Sequence, residues 1–443
     1  MHQVATIERL VDLVDPEANV LLNMTAQEAR DRVASGDPAR VREIDGQFAI
    51  VAKQGKIVRL ARSIGRPLRY FIAKRAEGPC LIVAERIDQI ADFLRSEGLD
   101  GQFHPSYTRM VPAHYLTEIA LVGCPDPNPT YTRFFTPGRN RLPADLDVIG
   151  QAYIGALAEE CRKWLDRLPR QAPLGVMFSG GIDSGALFLV LYHLLLARGE
   201  SPARLKAFTL SVDGGGADAD QAEQFLAALD LGLFLETIDV ASHELDVRDT
   251  IRVIEDYKPL DVQSAAMGLA LCRGIRARYP DWKYLADGDG GDENLKDYPI
   301  EDNPELTIRS VLNNLMLYHE GWGVGAIKHS LTYSGGQSRG HVRTFAPGRI
   351  LDFEGFSPYA LPNVIEVAEG IPFIELTEWQ HDRLYALKGE IVRLGVLAVT
   401  GLALPVFEKR RFQHGAVDQR QFAEKFPRDP EVYRQAFQAL YAK

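Results

Sequence analysis

The chain has few cysteines and little basic charge, and each shortage excludes a class of protein. Its cysteines form no C-x-x-C pair, and their wide spacing argues against a disulfide framework and a zinc site; they are Cys80, Cys124, Cys161 and Cys272. Acidic residues outnumber basic ones by 60 to 50, which gives a net charge of −10. A general nucleic-acid binder needs a basic face, so this charge argues against one.

Long apolar runs are also missing. No segment reaches the roughly 18 consecutive apolar residues of a membrane span, and the longest run, 186–197, is interrupted by Tyr192 and His193. The N-terminus lacks the basic and then apolar order of a signal peptide. We therefore predict a cytoplasmic protein with no membrane partner and no nucleic-acid partner.

A change of pattern along the 443 residues predicts two domains. Residues 41–125 contain short apolar runs separated by turn residues, as in "GQFAIVAKQGKIVRLAR", which favours a β-rich domain. Five prolines between residues 123 and 143 indicate a linker. Helical spacing begins at about residue 145. We therefore predict one domain over residues 1–140 and a second over residues 145–443.

Strands and helices alternate through the second domain. The apolar segments "LGVMF", "LKAFTLSV", "LFLETIDV" and "WKYLA" are separated by stretches with helical spacing. Such alternation predicts an α/β fold with a doubly wound parallel sheet and helices on both faces. Ligands bind these sheets beyond the carboxyl ends of the strands. Two glycine-rich segments, 179–184 and 287–293, follow predicted strands at that edge.

The first segment, "SGGIDS", has the residue types of a phosphate-binding loop. Gly180 and Gly181 let backbone N–H groups approach an anion, and the following helix adds partial positive charge. Ser179 and Ser184 add hydroxyl donors. Asp183 repels phosphate unless a cation lies between them, so the loop implies Mg²⁺. The alternative is a plain strand–turn–helix junction, and no Walker A pattern is present.

The second segment, "DGDGGDE", holds four carboxylates within seven residues; they belong to Asp287, Asp289, Asp292 and Glu293. Carboxylates this close repel one another, so a bound cation or a basic partner is expected. The alternative is a solvated acidic turn. Two such loops at one edge of a sheet favour a binding site.

Together these motifs resemble the ATP pyrophosphatases, enzymes that cleave ATP between the α and β phosphates. "SGGIDS" is similar to their pyrophosphate loop, and "KPLDVQSA" followed by "KYLADGDGGDENLKDY" resembles the asparagine synthetases within that group. "FSPYALPNVIEVAEGIP" and "LPVFEKRRFQHG" are similar to C-terminal segments of the same family. The resemblance covers about residues 145–420 and extends weakly into the first domain.

The first domain resembles the Ntn-type glutaminase domain of these enzymes but departs from it at the catalytic positions. The family has its nucleophilic cysteine directly after Met, whereas this chain has His2. The family's Asn-Gly-Glu oxyanion segment is also missing. We predict a degenerate glutaminase-like domain that does not hydrolyse glutamine. β-Lactam synthetases, carbapenam synthetases and lasso-peptide cyclases, which are similar in lacking the cysteine, join a substrate amine to an adenylated carboxylate.

The resemblance implies ATP and Mg²⁺ as cofactors and assigns residues to them. Asp183 and Asp292 are the implied Mg²⁺ ligands. The implied contacts to pyrophosphate are made by Ser179, Gly180, Gly181, Ser184, Gly288 and Gly290. The implied contacts to adenine come from the main chain around Phe208, Thr209, Leu210 and Ser211.

Catalytic roles are implied for a second set of residues. Lys409 aligns with the family's functional lysine, which neutralises charge on the phosphates and on the tetrahedral intermediate; a solvated basic run is the alternative. The candidate bases for the attacking amine are Asp289, Glu255 and Tyr257, the last two of which fit a structural role as well. Arg339, His341 and Arg343 are candidates for binding a substrate carboxylate, and a solvated loop is the favoured alternative.

The predicted function is that of an ATP-dependent, AMP-forming amide ligase acting on a small amino acid or peptide in natural-product biosynthesis. We expect the carboxylate and the amine to lie in one molecule, as in β-lactam synthetases. The alternative is ammonia-dependent amidation; it is favoured by Asp289, because β-lactam synthetases have tyrosine there and asparagine synthetases have glutamate. A lasso-peptide-type macrocyclase and a non-catalytic nucleotide-binding regulator are further alternatives.

Overall fold

The computed structural model describes residues 9–76, 78–121, 129–297, 306–316, 319, 341–407, 422 and 425–441. Its strands are β1 (Arg9–Asp12), β2 (Val20–Leu21), β3 (Gly46–Gln47), β4 (Ala49–Gln54), β5 (Ile57–Arg62), β6 (Arg69–Ala73), β7 (Cys80–Ala84), β8 (Arg109–Met110), β9 (Tyr115–Ala120), β10 (Thr130–Arg133), β11 (Leu174–Met177), β12 (Leu205–Val212), β13 (Leu235–Val240), β14 (Tyr284–Ala286) and β15 (Glu354–Phe356).

The α-helices are α1 (Ala26–Ala34), α2 (Pro38–Arg42), α3 (Ile87–Ser96), α4 (Leu146–Arg167), α5 (Ile182–Ala197), α6 (Ala217–Ala227), α7 (Val247–Ile254), α8 (Pro259–Arg278), α9 (Gly291–Asn294), α10 (Ile308–Asn313), α11 (Ala346–Arg349), α12 (Pro362–Glu369), α13 (Phe373–Thr377), α14 (His381–Thr400) and α15 (Pro430–Leu440). A π-helical turn spans His341–Phe345. None of the described helices is both long enough and apolar enough to cross a membrane.

The described residues divide into two compact units, one formed by residues 9–136 with Tyr441 and the other by residues 137–440. The first unit contains two four-stranded sheets, in the orders β1-β7-β6-β8 and β10-β9-β5-β4, and the pair β2-β3. The prediction of a β-rich N-terminal region is therefore confirmed. Its assignment to a degenerate glutaminase stays a prediction, and His2 lies outside the described residues.

The two large sheets of the first unit share one apolar core. Val58 and Leu60 from β5 pack there with Leu81 and Val83 from β7. The opposite face of the first sheet packs against α3, and α1 packs against β4 and β5. Because the inner face of β4 belongs to the shared core, α1 covers its outer face. The unit is thus layered as helix, sheet, sheet and helix.

The second unit is built on a five-stranded sheet in the order β13-β12-β11-β14-β15, and all neighbouring strands are parallel. The predicted parallel sheet with helices is therefore confirmed. The chain proceeds outward from β11 to β13 and then resumes on the other side of β11 with β14. The switch in direction lies between β11 and β14, the position at which ligands bind in sheets of this type.

Helices cover this sheet on both faces. Every residue of β12 from Ala207 to Val212 is buried, as expected for a parallel strand between two helical layers. The face that bears Phe208 and Leu210 packs against α8, and α5 packs against β11 and β12. The helix α4 begins at Asp145, whose carboxylate accepts hydrogen bonds from the N–H groups of Asp147 and Val148.

Two glycines set the contact between α4 and α14. A Cβ on Gly150 would lie 2.7 Å from the carbonyl oxygen of Ile391 and 2.8 Å from the backbone nitrogen of Gly395. A Cβ on Gly395 would in turn meet the Gly150 carbonyl. The two backbones therefore touch, and no side chain fits between them.

We expect Gly395→Ala to lower the free energy of unfolding by about 1–3 kcal/mol, the usual cost of inserting atoms into a packed contact. Gly155→Ala, in α4, is the matched control because a Cβ there meets nothing within 4 Å. Higher helix propensity should make that variant more stable by about 0.5–1 kcal/mol. Denaturant titrations measure both changes, and equal stability of the two variants would contradict the contact.

Candidate nucleotide and metal site

The two glycine-rich loops meet at the switch point of the parallel sheet. Residues 179–184 follow β11 and residues 287–292 follow its neighbour β14. A Cβ on Gly288 would lie 2.9 Å from the backbone nitrogen of Ser184, and a Cβ on Gly291 would collide with the side chain of Asp183. The loops are therefore in direct contact, and glycine at these two positions makes the contact possible.

The first loop is curled around its own hydroxyl groups at the start of α5. Gly180 has a φ of +70°, and a Cβ there would lie 2.8 Å from the backbone nitrogen of Ala222. The Ser179 N–H donates to the Ser184 hydroxyl, and the Gly181 N–H donates to the Ser179 hydroxyl, each over 3.3 Å. The first turn of α5 directs N–H groups and partial positive charge towards this edge, which suits an anion.

Asp287 shapes the second loop. Its carboxylate accepts hydrogen bonds from the Ser357 hydroxyl at 2.8 Å and from the Asp289 N–H at 3.1 Å. Burial and the neighbouring charge of Asp289 raise the pKa of Asp287 well above its ordinary value. Both oxygens thus have protein partners, one in the loop and one directly after β15, which indicates a structural role for Asp287.

The two predicted metal ligands converge on a lysine ammonium. Lys388, in α14, places its Nζ 2.5 Å from Oδ2 of Asp183 and in contact with Oδ1 of Asp292. Oδ2 of Asp297 lies 3.5 Å from the same nitrogen. Burial by itself lowers the pKa of Lys388, but the three carboxylates raise it well above its ordinary value. The group is therefore a charged ammonium that is only 3% exposed.

This arrangement tests whether Asp183 and Asp292 fit a shared cation. Their carboxylates reach one positive centre, as Mg²⁺ ligands must. Within the described residues, no group of three or more His, Cys, Asp and Glu side chains forms a metal site on its own. Mg²⁺ usually takes one or two protein carboxylates and completes its shell with phosphate and water oxygens. The pair therefore fits a Mg²⁺ ion that is bound together with a nucleotide.

Sequence reasoning missed Lys388, although the sequence contains a signal for it. Leu384, Leu387 and Ile391 are buried on one face of α14, and Lys388 occupies a position of that same face. A charged residue at a core position of an amphipathic helix usually has a buried partner. The pattern identifies the lysine as paired but does not identify the partners, which come from two distant loops.

Asp289 is held beside the π-helical turn. The Thr344 hydroxyl donates to its Oδ2 over 2.6 Å. Burial raises the pKa of Asp289 to about 6, against the opposing effects of the Thr344 hydrogen bond and the Arg343 charge. Arg343 also donates to Oδ1 of the buried Asp261 over 3.2 Å. A carboxylate with this pKa is ionised at neutral pH and still accepts a proton readily.

The other predicted catalytic residues lie either at the junction of α7 with α8 or outside the described residues. Glu255 is buried at the end of α7 in a left-handed conformation, and the ring of Tyr257 packs 5.6 Å from that of Phe437 in α15. Glu255 and Tyr257 thus lie at the junction of α7 with α8, and the roles of these two residues as bases stay predictions. Lys409 and Arg339 lie outside the described residues, and the Lys409 assignment also stays a prediction.

The predicted adenine contact falls on β12. The carbonyl of Phe208 accepts from the N–H of Phe178, on the side of β11. Backbone groups alternate sides along a strand, so Leu210 directs its N–H and C=O to that same side. Met177 is the last residue of β11 paired with β12, and Leu210 lies beyond it. The backbone N–H and C=O groups of Thr209 and Ser211 face β13. The Ser211 hydroxyl donates to Asp239 over 2.9 Å.

A parallel sheet with a curled glycine-rich loop at its switch point is the architecture of α/β nucleotide-binding domains. Comparison with known families adds a second observation. The asparagine synthase family model matches residues 164–342, so this part of the chain is similar to the asparagine synthetases. The family consists of ATP-dependent carbon–nitrogen ligases, which supports such an activity in general terms. No curated protein gives a significant match.

The matched residues contain both glycine-rich loops and end at the π-helical turn. Lys388 lies outside them. The family match and the Lys388 contacts are therefore separate observations on the same site.

Proposed function

We propose that the protein is an ATP-dependent, AMP-forming amide ligase that adenylates a substrate carboxylate and forms an amide by attack of an amine. One observation carries the proposal. Asp183 and Asp292, from two touching loops at the switch point, both contact the ammonium of Lys388 and so can share one cation. A carboxylate is a poor acyl donor because its leaving group would be oxide. Attack of the carboxylate on the α-phosphate of ATP releases pyrophosphate and gives an acyl adenylate, from which the amine then displaces AMP.

Each part of the site has a role in that reaction. The N–H groups at the start of α5 and the hydroxyls of Ser179 and Ser184 bind the departing pyrophosphate. The N–H and C=O of Leu210, on the side of β11 but beyond its last paired residue, offer one donor and one acceptor to the edge of the adenine ring. Asp183 and Asp292 would hold Mg²⁺, which supplies charge neutralisation at the phosphates. Lys409 would add positive charge to the phosphates and to the tetrahedral intermediate.

Asp289 is the proposed base for the attacking amine. It lies three residues before Asp292, and its oxygen is oriented by Thr344. An amine attacks only when it has lost its proton, and a carboxylate with a pKa of about 6 accepts that proton at neutral pH. Arg343, beside Asp289 and Asp261, is the proposed contact for a substrate carboxylate.

We propose that the amine belongs to the substrate itself, as in β-lactam synthetases, and that glutamine is not its source. The lack of the family's Asn-Gly-Glu oxyanion segment in residues 1–140 supports this proposal. The helix–sheet–sheet–helix layering of the first unit supports its descent from a glutaminase-like domain. Asp289 favours a second candidate, ammonia-dependent amidation of a small carboxylate. A peptide substrate would make the enzyme a macrocyclase.

We further propose a cytoplasmic location and a role in antibiotic or toxin biosynthesis. The described cysteines, Cys80, Cys161 and Cys272, are buried free thiols, which supports a reducing compartment. Genes for antibiotic or toxin biosynthesis beside this one would support the proposed role.

The test is to measure AMP and pyrophosphate from ATP with diamino acids and short peptides, with and without ammonia. We expect substrate-dependent release of both products without ammonia. Release that requires ammonia would reject the intramolecular reaction and favour the second candidate. Nucleotide binding without pyrophosphate release under any of these conditions would reject the ligase and favour a non-catalytic nucleotide-binding regulator.

A further inference from the structure

Lys388 occupies the position where the two proposed metal ligands meet. Its ammonium contacts Asp183 and Asp292 and has Asp297 as a third carboxylate at 3.5 Å. The side chain is buried, and the Gly150–Gly395 contact fixes the helix that carries it against α4. One positive charge therefore balances part of the negative charge of three carboxylates.

We propose that Lys388 is a built-in substitute for the metal, which keeps free divalent cations out until one arrives bound to a nucleoside triphosphate. The inference rests on the proposed roles of Asp183 and Asp292 as Mg²⁺ ligands. A Mg²⁺ ion binds carboxylate oxygens at about 2.0–2.1 Å. The ammonium already contacts those oxygens. Two cations at one pair of carboxylates repel each other, so only one of them is bound there at a time.

Free metal and metal–nucleotide differ in what they offer the displaced lysine. Free Mg²⁺ must break the buried ammonium–carboxylate pairs, and a buried charge without a partner is strongly unfavourable. A metal–triphosphate brings phosphate oxygens that accept the ammonium. Asp297 alone, at 3.5 Å, does not replace the two closer carboxylate contacts that free Mg²⁺ would remove. Metal and nucleotide therefore bind as one unit, and each raises the affinity for the other.

The experiment measures Mn²⁺ binding to the nucleotide-free, full-length protein by electron paramagnetic resonance. Wild-type protein is compared with Lys388→Met, which removes the ammonium and keeps an unbranched side chain. We expect the variant to bind Mn²⁺ more tightly by a factor of about 5–150, the usual range of a coupling between two ligands. Millimolar Mn²⁺ should also raise the melting temperature of the variant and leave that of the wild type unchanged.

Lys296→Met is the matched control. Lys296 is likewise 3% exposed, and its Nζ is paired with the carboxylate of Glu369 at 3.1 Å. Its loss should destabilise the protein, yet added Mn²⁺ should give no recovery, because the pair has one carboxylate and a metal site needs more. If Lys388→Met does not fold, Lys388→Gln tests the same loss of charge.

Tight Mn²⁺ binding by the nucleotide-free wild type would overturn the proposal without any variant. An equal Mn²⁺ affinity of wild type and Lys388→Met would overturn it as well. These measurements use no ATP turnover, so they separate the inference from the proposed reaction. Mn²⁺ binding as expected, in a protein that never releases pyrophosphate, would reject the ligase and retain the role of Lys388.

Discussion

Asp183→Asn should lower ATP-dependent pyrophosphate release by about a thousandfold or more. A metal ion contributes several kcal/mol to stabilising charge at transferring phosphoryl groups, and about 4 kcal/mol corresponds to a factor of a thousand. Asparagine keeps the size of the side chain but lacks the negative charge that holds the cation. The measurement is the rate of pyrophosphate release at saturating ATP, with the folded state checked by circular dichroism.

Asp297→Asn is the matched control for this prediction. Asp297 lies in the same cluster, but its oxygen is 3.5 Å from the Lys388 ammonium, whereas that of Asp183 is at 2.5 Å. The control should keep most of the pyrophosphate release, since it removes a charge from the cluster but no proposed metal ligand. Wild-type activity of Asp183→Asn would reject the metal role.

Asp289→Asn should separate the two half-reactions. Adenylation, measured as exchange of labelled pyrophosphate into ATP, should survive because Asp289 is not a proposed ligand of the metal or the phosphates. Amide formation should fall by about a hundredfold to ten-thousandfold, the usual effect of removing a general base. Equal losses in both steps would show that Asp289 does not act on the amine.

The pH profile gives a second test of the same residue. A base works only when deprotonated, so wild-type amide formation should decline as the pH falls through about 6, the pKa of Asp289. The Thr344 hydrogen bond lowers this pKa, so Thr344→Val should move the decline to higher pH, whereas Thr344→Ser should keep it in place. A decline that persists in Asp289→Asn would assign it to another group.

Much of the second unit could be predicted from sequence because its strands are buried on both faces. β12 matches the apolar run "LKAFTLSV" residue for residue, and β11 differs from "LGVMF" only at Phe178. β15 was not predicted, because its three residues, Glu354, Gly355 and Phe356, show no apolar pattern. Its place in the sheet comes from parallel pairing with β14, a long-range contact that no local pattern reveals.

The residues of the candidate site also differ in whether a local sequence pattern identifies them. Asp183 and Asp292 could be proposed because each lies in a local motif directly after a strand. Lys388 and Thr344 could not, because each lies about 50 or more residues from its partner and owes its place to tertiary packing. Lys388 lies on α14, the helix that the Gly150–Gly395 contact holds closely against α4.

The contact between the two glycine-rich loops helps to set the distance between the carboxylates of Asp183 and Asp292. The side chain of Asp183 rests against Gly291, and the backbone beside it rests against Gly288. The separation of Asp183 from Asp292 therefore depends on the absence of a side chain at Gly288 and at Gly291. An alanine scan of the polar groups around the site would pass over both positions. The spacing of the carboxylates is thus set in part by two residues that have no side chain.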